Sequence, residues 1–574
     1  MPILYRGFLY RGLSYRGFSY REKHIKMAAL SFEKSALNKV QTMRHLRHQF
    51  AVHPLLLLVC FVLLAPVVAI AIVATGPTDN LMPHLLQTVL GCYVQNTILL
   101  MVGVGVLAVL FGVSTAWLVS RYDFMGRRWF EWLLVLPAAM PAYIIAYSYT
   151  DFFEYAGPVQ SYLRSFFGWQ TARDYWFPEI RSFGGAMLIM ASVLYPYIYL
   201  LARTSFRQTS SNLFEIAEIS GQNLFWHVGL PLARPAIIAG LSLVLMEVVS
   251  DFGTVEYFAL ETLTLGIFNV WIGMNSKPAA AQLALCAFVL IGLLLMMEIF
   301  ARSRRSFQNS GFGRVGVPRK SLLMRTQLFC VFICILPIII GFVLPVMILL
   351  NFVMRGGGVQ APSDILSLLQ QSFGLALIAA FSVILLALLA ALLAHYRSAR
   401  TGQMLAGAAA AGYAFPGTIL AIGVLAVAGY VDRAFVSLFS APLMAGGFAV
   451  LLFGLMVRFH AVGYGAIVSG IRRMPPHMME SGLIMGYRFP VIIGRVILPL
   501  LRPSIIAGGL LVFVDVMKEL PMTLLLRPFS FETFATYTYQ FAKDEMLEVA
   551  AIPALLIVCA GLLPVYLANR ALEK

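Results

Sequence analysis

The chain has 574 residues, of which 60% are hydrophobic and 12% charged, with 42 Lys and Arg against 26 Asp and Glu. Soluble proteins carry about 25% charged residues, so this composition excludes a string of soluble domains and describes an integral membrane protein. The formal charge of +16 would suggest nucleic acid in a soluble chain, but here it belongs to loops retained on the cytoplasmic side of a membrane. The six cysteines fall in or beside apolar runs without C-x-x-C or a Cys/His cluster, so neither a disulfide framework nor a structural metal is expected.

The chain opens on a five-residue repeat, Leu4-Tyr5-Arg6-Gly7-Phe8 and its copies through Arg21, followed by basic residues up to His48. Five matches neither a helix nor a strand period, and no apolar core with a small-residue cleavage site follows. Residues 1–50 are therefore expected to be a basic low-complexity cytoplasmic tail, or an upstream reading ahead of a start at Met27 or Met43.

Apolar runs near the ~20 residues that cross a bilayer then follow in order. In the first half they lie at 55–74, 97–119, 129–149, 184–201, 236–251 and 281–301; in the second, at 328–350, 372–395, 404–430, 441–457, 504–519 and 550–568. The expectation is an all-α integral membrane protein with twelve transmembrane helices. With that count, the loop at Arg121, Arg127 and Arg128, the linker around Arg302 to Arg325, the loop at Arg397 and Arg400, and both termini share one side. The opposite loops carry more acids, including Asp151, Glu154, Asp174 and Glu179. The positive-inside rule puts the basic side in the cytoplasm.

A duplication is legible at a shift of 268 residues: Arg234-Pro235-Ala236-Ile237-Ile238-Ala239-Gly240 corresponds to Arg502-Pro503-Ser504-Ile505-Ile506-Ala507-Gly508. At that shift Glu247 falls on Asp515, Asp251 on Glu519, and Ser250 on Lys518. Six spans per half make the repeats parallel, so the domains expected are a first half over 51–301, a basic cytoplasmic linker over 302–327, and a second half over 328–570.

The loops before the fifth and eleventh spans, 203–235 and 458–503, are the most patterned. In the second, Glu480 opens a short helix, Gly486 permits the turn that ends it, and a further helix leads to Leu498-Pro499, where the proline is expected to break at the membrane edge. The first carries Glu215, Ala217, Gly221, Leu230 and Pro231, with Leu230-Pro231 arriving three residues early.

These residues resemble the cytoplasmic signature of ATP-binding-cassette importer permeases, E-A-A, three residues, G, nine residues, I-x-L-P. Segments around Asp251-Phe252-Gly253 and Asp515 to Pro528 are similar to the fused permeases of the ferric-iron uptake branch. The resemblance implies two copies of a separate ATPase subunit under the two loops, with Glu215 and Glu480 seating the coupling helices. It also implies a periplasmic binding protein on the opposite face and residence in the bacterial inner membrane. The chain has no G-x-x-x-x-G-K-[ST], so it is expected to be a transport subunit rather than an enzyme, with no cofactor of its own and ATP and magnesium on the partner.

An acid inside a span costs about 2.5–3.5 kcal/mol on insertion scales, so Glu247, Asp251, Asp515 and Glu519 need a reason to be there. Two readings stand. If the spans end near Val248 and Val516, the acids sit at the wet interface. Otherwise, with Lys518 neutralising part of the second pair and Tyr257 adding phenol oxygen, they line a translocation path suited to a hard cation, with no stable metal site. Polyamine, thiamine, phosphonate or sulfate cargo, a proton-coupled secondary transporter, and a scaffold remain alternatives; no nucleic-acid partner is expected. His227, His460 and His477 are expected on cytoplasmic stretches, Cys330 and Cys334 to pack, and Pro141 and Pro416 to interrupt the third and ninth spans.

Overall fold

The computed structural model describes residues 52–78, 80–209, 211–303, 320–356, 362–398, 400–439, 444, 447–475 and 478–573. The expected tail, linker positions 304–319 and His477 lie outside them. Hydrocarbon offers no partner for a backbone amide, so long apolar runs close their hydrogen bonds within helices, and helix is nearly all the described chain contains.

The first half comprises α1 (Pro54–Val73), α2 (Leu90–Arg121), α3 (Arg127–Leu133), α4 (Ala142–Phe153), α5 (Phe183–Gln208), α6 (Ser211–Ile219), α7 (Leu230–Ser250) and α8 (Lys277–Ser303). The second comprises α9 (Met324–Ile338), α10 (Leu344–Arg355), α11 (Pro362–Tyr396), α12 (Gly417–Phe439), α13 (Phe448–Arg472), α14 (Met478–Ile484), α15 (Leu498–Met517) and α16 (Leu547–Glu573). Among the described residues ten helices are long and apolar enough to cross a membrane, or eleven if Arg127–Ala139 and Ala142–Phe167, bent by 89°, form one span. The all-α membrane fold stands, while the count of twelve is not reached by that measure. The last expected span falls on α16, whose apolar part is the shorter stretch Leu547–Leu563.

Several boundaries differ from expectation: the fourth span runs on to Gln208, past the expected start of the first loop at 203, and two further differences bear on the site. The tenth span does not stop at Val457: α13 runs through Arg458 to Arg472, past the expected start of the loop at 458. Arg458 ends the apolar run in sequence, yet its guanidinium is buried against protein rather than lipid. The ninth span is not one helix but Arg400–Ala409, a tight turn over Ala410–Ala414, and α12.

The halves interleave. α1 packs on α12 of the second half, and α9 packs on α2 and α3 of the first. α16 packs on Leu136–Ala139 in the broken third span. The linker is pinned where it returns: β2 (Lys320–Ser321) pairs in parallel with β1 (Tyr122–Asp123), Tyr122 opposite Lys320. α5 with α7, and α13 with α15, form the centre around which the site is built.

Candidate functional site

Breaks in four spans converge between the halves. In the third, Met140 and Pro141 are extended and α4 starts at Ala142. In the ninth, Phe415 is extended before Pro416. A proline disfavours helical geometry in the residue before it but suits a helix start, so both sites restart the helix rather than bend it. The fifth span ends at Ser250, with Asp251 extended; the eleventh ends at Met517, and a new turn begins at Pro521. A cavity of about 120 Å³ lies here, lined among others by Met140, Pro141, Glu247, Asp251, Arg458 and Glu519.

The acids divide into two kinds of work. Asp251 Oδ1 accepts from the backbone N–H of Thr254 at 2.9 Å and of Val255 at 3.3 Å, and Oδ2 from the Thr254 hydroxyl at 3.0 Å. Glu519 repeats this at the equivalent place, accepting from Met522 N–H at 2.9 Å, Thr523 N–H at 2.8 Å and the Thr523 hydroxyl at 2.6 Å. Each carboxylate caps the short helix that follows its span, where amide donors would otherwise lack partners. Glu247 and Asp515 have no such duty. Asp515 Oδ1 lies 3.0 Å from Lys518 Nζ, whereas Glu247 makes no hydrogen bond among the described residues and faces Lys518, Arg458 and Asp515. The spans do end near the acids, as the interfacial reading required, but the acids line a cavity between halves rather than an open rim.

Five of the six residues expected on the path therefore meet: Glu247, Asp251, Asp515, Lys518 and Glu519. Tyr257 does not; its ring lies under the Arg181 guanidinium at 5.2 Å and edge-on to Tyr147. The phenols that do line the cavity are Tyr143, Tyr197 and Tyr413, and the Tyr143 hydroxyl, buried, has no hydrogen-bond partner among the described residues. Arg458 also joins, with Nη1 3.5 Å from Glu519 Oε1. It sits one residue beyond the apolar run that marked the span, so a lone arginine continuing a helical stretch was the available signal. Gly417 makes room for it: a Cβ there would fall 2.1 Å from Arg458 Nη1 and 3.0 Å from Glu519 Oε1. Among the described residues no three His, Cys, Asp or Glu side chains converge to hold a metal ion.

The two patterned loops sit at the far ends of α7 and α15, about 25 Å of helix from the cavity. Each short helix ends at a left-handed glycine, Gly221 at φ +68° and Gly486 at φ +84°. The hydrogen bonds match: Gln222 N–H to Ala217 O with Gly221 N–H to Glu218 O, and Tyr487 N–H to Gly482 O with Gly486 N–H to Leu483 O. This double closure is the Schellman stop that glycine favours. In both loops the next helix resumes three residues after the glycine, at Leu224 and Phe489. The three-residue difference is therefore nearly one turn of the second helix, not a change in the turn.

Pro231 and Pro499 break nothing. A wide π turn precedes each, over Phe225–Gly229 and Ile493–Ile497, and the helix runs on into the membrane. The wider turn accommodates a residue lacking an N–H without ending the helix. Glu215 is exposed, and Ile216 and Ile219 beside it are 60% and 87% exposed; Ile484 and Met485 stand out likewise on the second loop. Ala217 is buried, and Leu230 and Leu498 are half-buried.

Sequence reasoning missed a buried cluster beside the first loop. Glu131 is held by Arg127 at 2.5 Å, Arg203 at 2.5 Å and Arg207 at 2.7 Å, tying α3 to the end of α5 that leads into α6. Arg203 and Arg207, four apart, share a helix face, which was the legible signal. His460 is fully buried in α13, not on a cytoplasmic stretch; it stacks on Tyr464. His227 is exposed, and Cys330 and Cys334 are buried in α9.

Residues 108–306 match the family described as binding-protein-dependent transport system inner membrane component. Across 496 residues, 83% of this chain and 89% of the relative, the sequence is 25% identical to the Fe(3+)-transport system permease protein FbpB 2 of Haemophilus influenzae. The chain is a fused importer permease of the ATP-binding-cassette class. Shorter relatives match this permease along one stretch. The molybdenum transport system permease protein ModB of Haemophilus influenzae is 25% identical over 35% of this chain and 89% of its own length. The sulfate transport system permease protein CysW of Escherichia coli is 28% identical over 42% of this chain and 85% of its own. Single-unit relatives of that size agree with the 268-residue duplication. As a member of this class the permease is a multi-pass inner-membrane protein that works with an ATPase and a substrate-binding protein, and the family's permease subunits are not themselves enzymes.

Proposed function

We propose that this permease passes ferric iron across the inner membrane by alternating access at the cavity between its halves. The observation that carries the proposal is that equivalent acids from both halves, Glu247 with Asp515 and Asp251 with Glu519, meet in one cavity. Four carboxylates stand there against Arg458 and Lys518, a formal surplus of two negative charges, with three phenols as further hard oxygen. The relative matched along nearly its whole length is named for Fe(3+), which supports the same cargo.

Both termini and both loops face the cytoplasm on the charge distribution. Two ATPase subunits dock there, one on each helix and glycine turn, with Glu215 beside the exposed apolar side chains of the first loop; the Glu480 side chain lies outside the described ones. ATP and magnesium are held by those subunits, and the binding protein delivers cargo at the opposite face. The test is uptake of labelled ferric iron by proteoliposomes holding the permease, its ATPase and its binding protein. ATP-dependent accumulation of iron, undiminished by excess molybdate or sulfate, is expected. Accumulation of an oxyanion instead would overturn the cargo assignment, and uptake driven by a pH gradient without the ATPase would overturn the mechanism.

A further inference from the structure

The cavity is not symmetric, and two charged positions make it so: at the 268-residue shift Arg458 of the second half falls on Met190 of the first, and Lys518 falls on Ser250. All four line the cavity. Lys518 Nζ lies 3.0 Å from Asp515 Oδ1, and its charge also faces Glu247 and Tyr197. Asp251 and Glu519 are occupied by backbone and threonine donors, so Glu247 and Asp515 are the carboxylates left to meet a cation. Two ionised carboxylates in a largely desolvated space repel each other and are costly without a partner. A cargo cation would be such a partner, but a permease spends part of each cycle empty.

We propose that Lys518 is a tethered counter-cation: its ammonium occupies the cargo's electrostatic place between Asp515 and Glu247 when the cavity is empty, and cargo displaces it. This rests on the proposal that the cavity carries cations. The side chain is suited to the task, being a single charge on a flexible four-carbon stem that can withdraw without breaking the helix. Arg458 is not suited, because it is wedged against Gly417 and Glu519. Fusion of the halves makes the arrangement possible, since two identical halves would bring two lysines and two arginines against four carboxylates and cancel the negative surplus. Tyr143 also lines the cavity, and its buried hydroxyl has no hydrogen-bond partner among the described residues.

Cavity binding can be read apart from transport with trivalent terbium, a hard oxygen-seeking ion whose luminescence nearby phenols sensitise. Titrations of the intact permease with its ATPase should show Lys518→Met binding terbium about tenfold or more tighter than the unaltered protein, because a competing charge is gone. Lys518→Arg should show no gain, and Glu247→Gln added to Lys518→Met should abolish it. Lys518→Gln still donates to Asp515 and should tighten binding in the same direction, which keeps the test available if the Met variant does not accumulate. Binding no tighter in an assembled Lys518→Met or Lys518→Gln protein would overturn the proposal. So would a gain that survives Glu247→Gln. The terbium pattern without iron uptake would overturn the ferric assignment and leave the counter-cation standing; iron uptake without the pattern would do the reverse.

Discussion

Glu256 of the first half receives Lys543 Nζ of the second at 2.7 Å, and the Tyr539 hydroxyl donates to the same carboxylate. Glu256 lies in the short helix capped by Asp251, so this cross-half contact is built on the turn that also shapes the cavity. The two donors differ in burial: the Lys543 side chain is 59% exposed, whereas Tyr539 is buried.

That difference predicts unequal effects. Lys543→Ala removes a solvent-screened partner and should change stability by less than about 1 kcal/mol. Glu256→Ala leaves a buried hydroxyl without its acceptor and should cost about 1–3 kcal/mol. Thermal unfolding of the purified permease in detergent, followed for both variants, checks the order; equal shifts would show that Tyr539 draws nothing from Glu256.

Gly417→Ala places a methyl against Arg458 Nη1 and Glu519 Oε1. Overpacking of this kind costs about 1–3 kcal/mol, and the displaced pair lines the cavity. Uptake should fall together with the unfolding midpoint. Gly417→Ala with normal uptake would mean that the Arg458–Glu519 geometry does not matter for transport.

Glu247 and Asp251 should separate by kind of defect. Glu247→Gln, which disturbs no hydrogen bond among the described residues, should lower uptake by about tenfold while stability holds, since it removes the charge that draws a cation. Asp251→Ala should cost about 1 kcal/mol or more of stability through the lost cap, whatever it does to uptake. Paired uptake and unfolding measurements decide, and a Glu247→Gln protein with full uptake would remove the acid from the path.

The matching turns predict matching coupling. Gly221→Val and Gly486→Val each force a β-branched residue into left-handed backbone, at about 1–2 kcal/mol, and should weaken ATPase association to a similar degree. Glu215→Ala and Glu480→Ala should likewise be comparable, because the turn is the same and only the following helix differs in length. Pull-down of the ATPase subunit tests this; a loss confined to the second loop would mean that the shorter helix keeps the first loop from docking.

Asp174 accepts from the backbone N–H of Thr171 at 2.7 Å and of Gln170 at 2.8 Å, which holds its carboxyl below the usual carboxylate range. A depressed pKa gives order that is present above the unfolded value of about 3.9 and lost as pH falls through the folded one. Fluorescence from Trp169 in this turn should stay constant down to about pH 4 and change only below. In Asp174→Asn the acid transition should vanish, and its persistence would place the titrating group elsewhere.

Apolar length, the excess of Lys and Arg, the 268-residue echo and the glycine spacing are local properties, and the sequence determined what depends on them: a helical membrane chain, two related halves and two helix-turn loops. Glycine reports backbone geometry directly, so Gly221 and Gly486 were legible. Periodicity could not say whether Asp251 and Glu519 were cargo ligands or caps, because that depends on donors three and four residues on and on which way the chain turns after the span. Nor could it find Arg458, Gly417 or Tyr143 as neighbours of those acids, since they arrive from three other spans broken or packed around the same point. An arginine beside apolar residues looks like the end of a span until the fold supplies a buried carboxylate. Tyr257, adjacent in sequence, lies against Arg181 instead. Proximity along the chain is set by covalent bonds, but which oxygen atoms share one desolvated cavity is set by how helices about 30 Å or more long from two halves cross, and only the tertiary structure decides that.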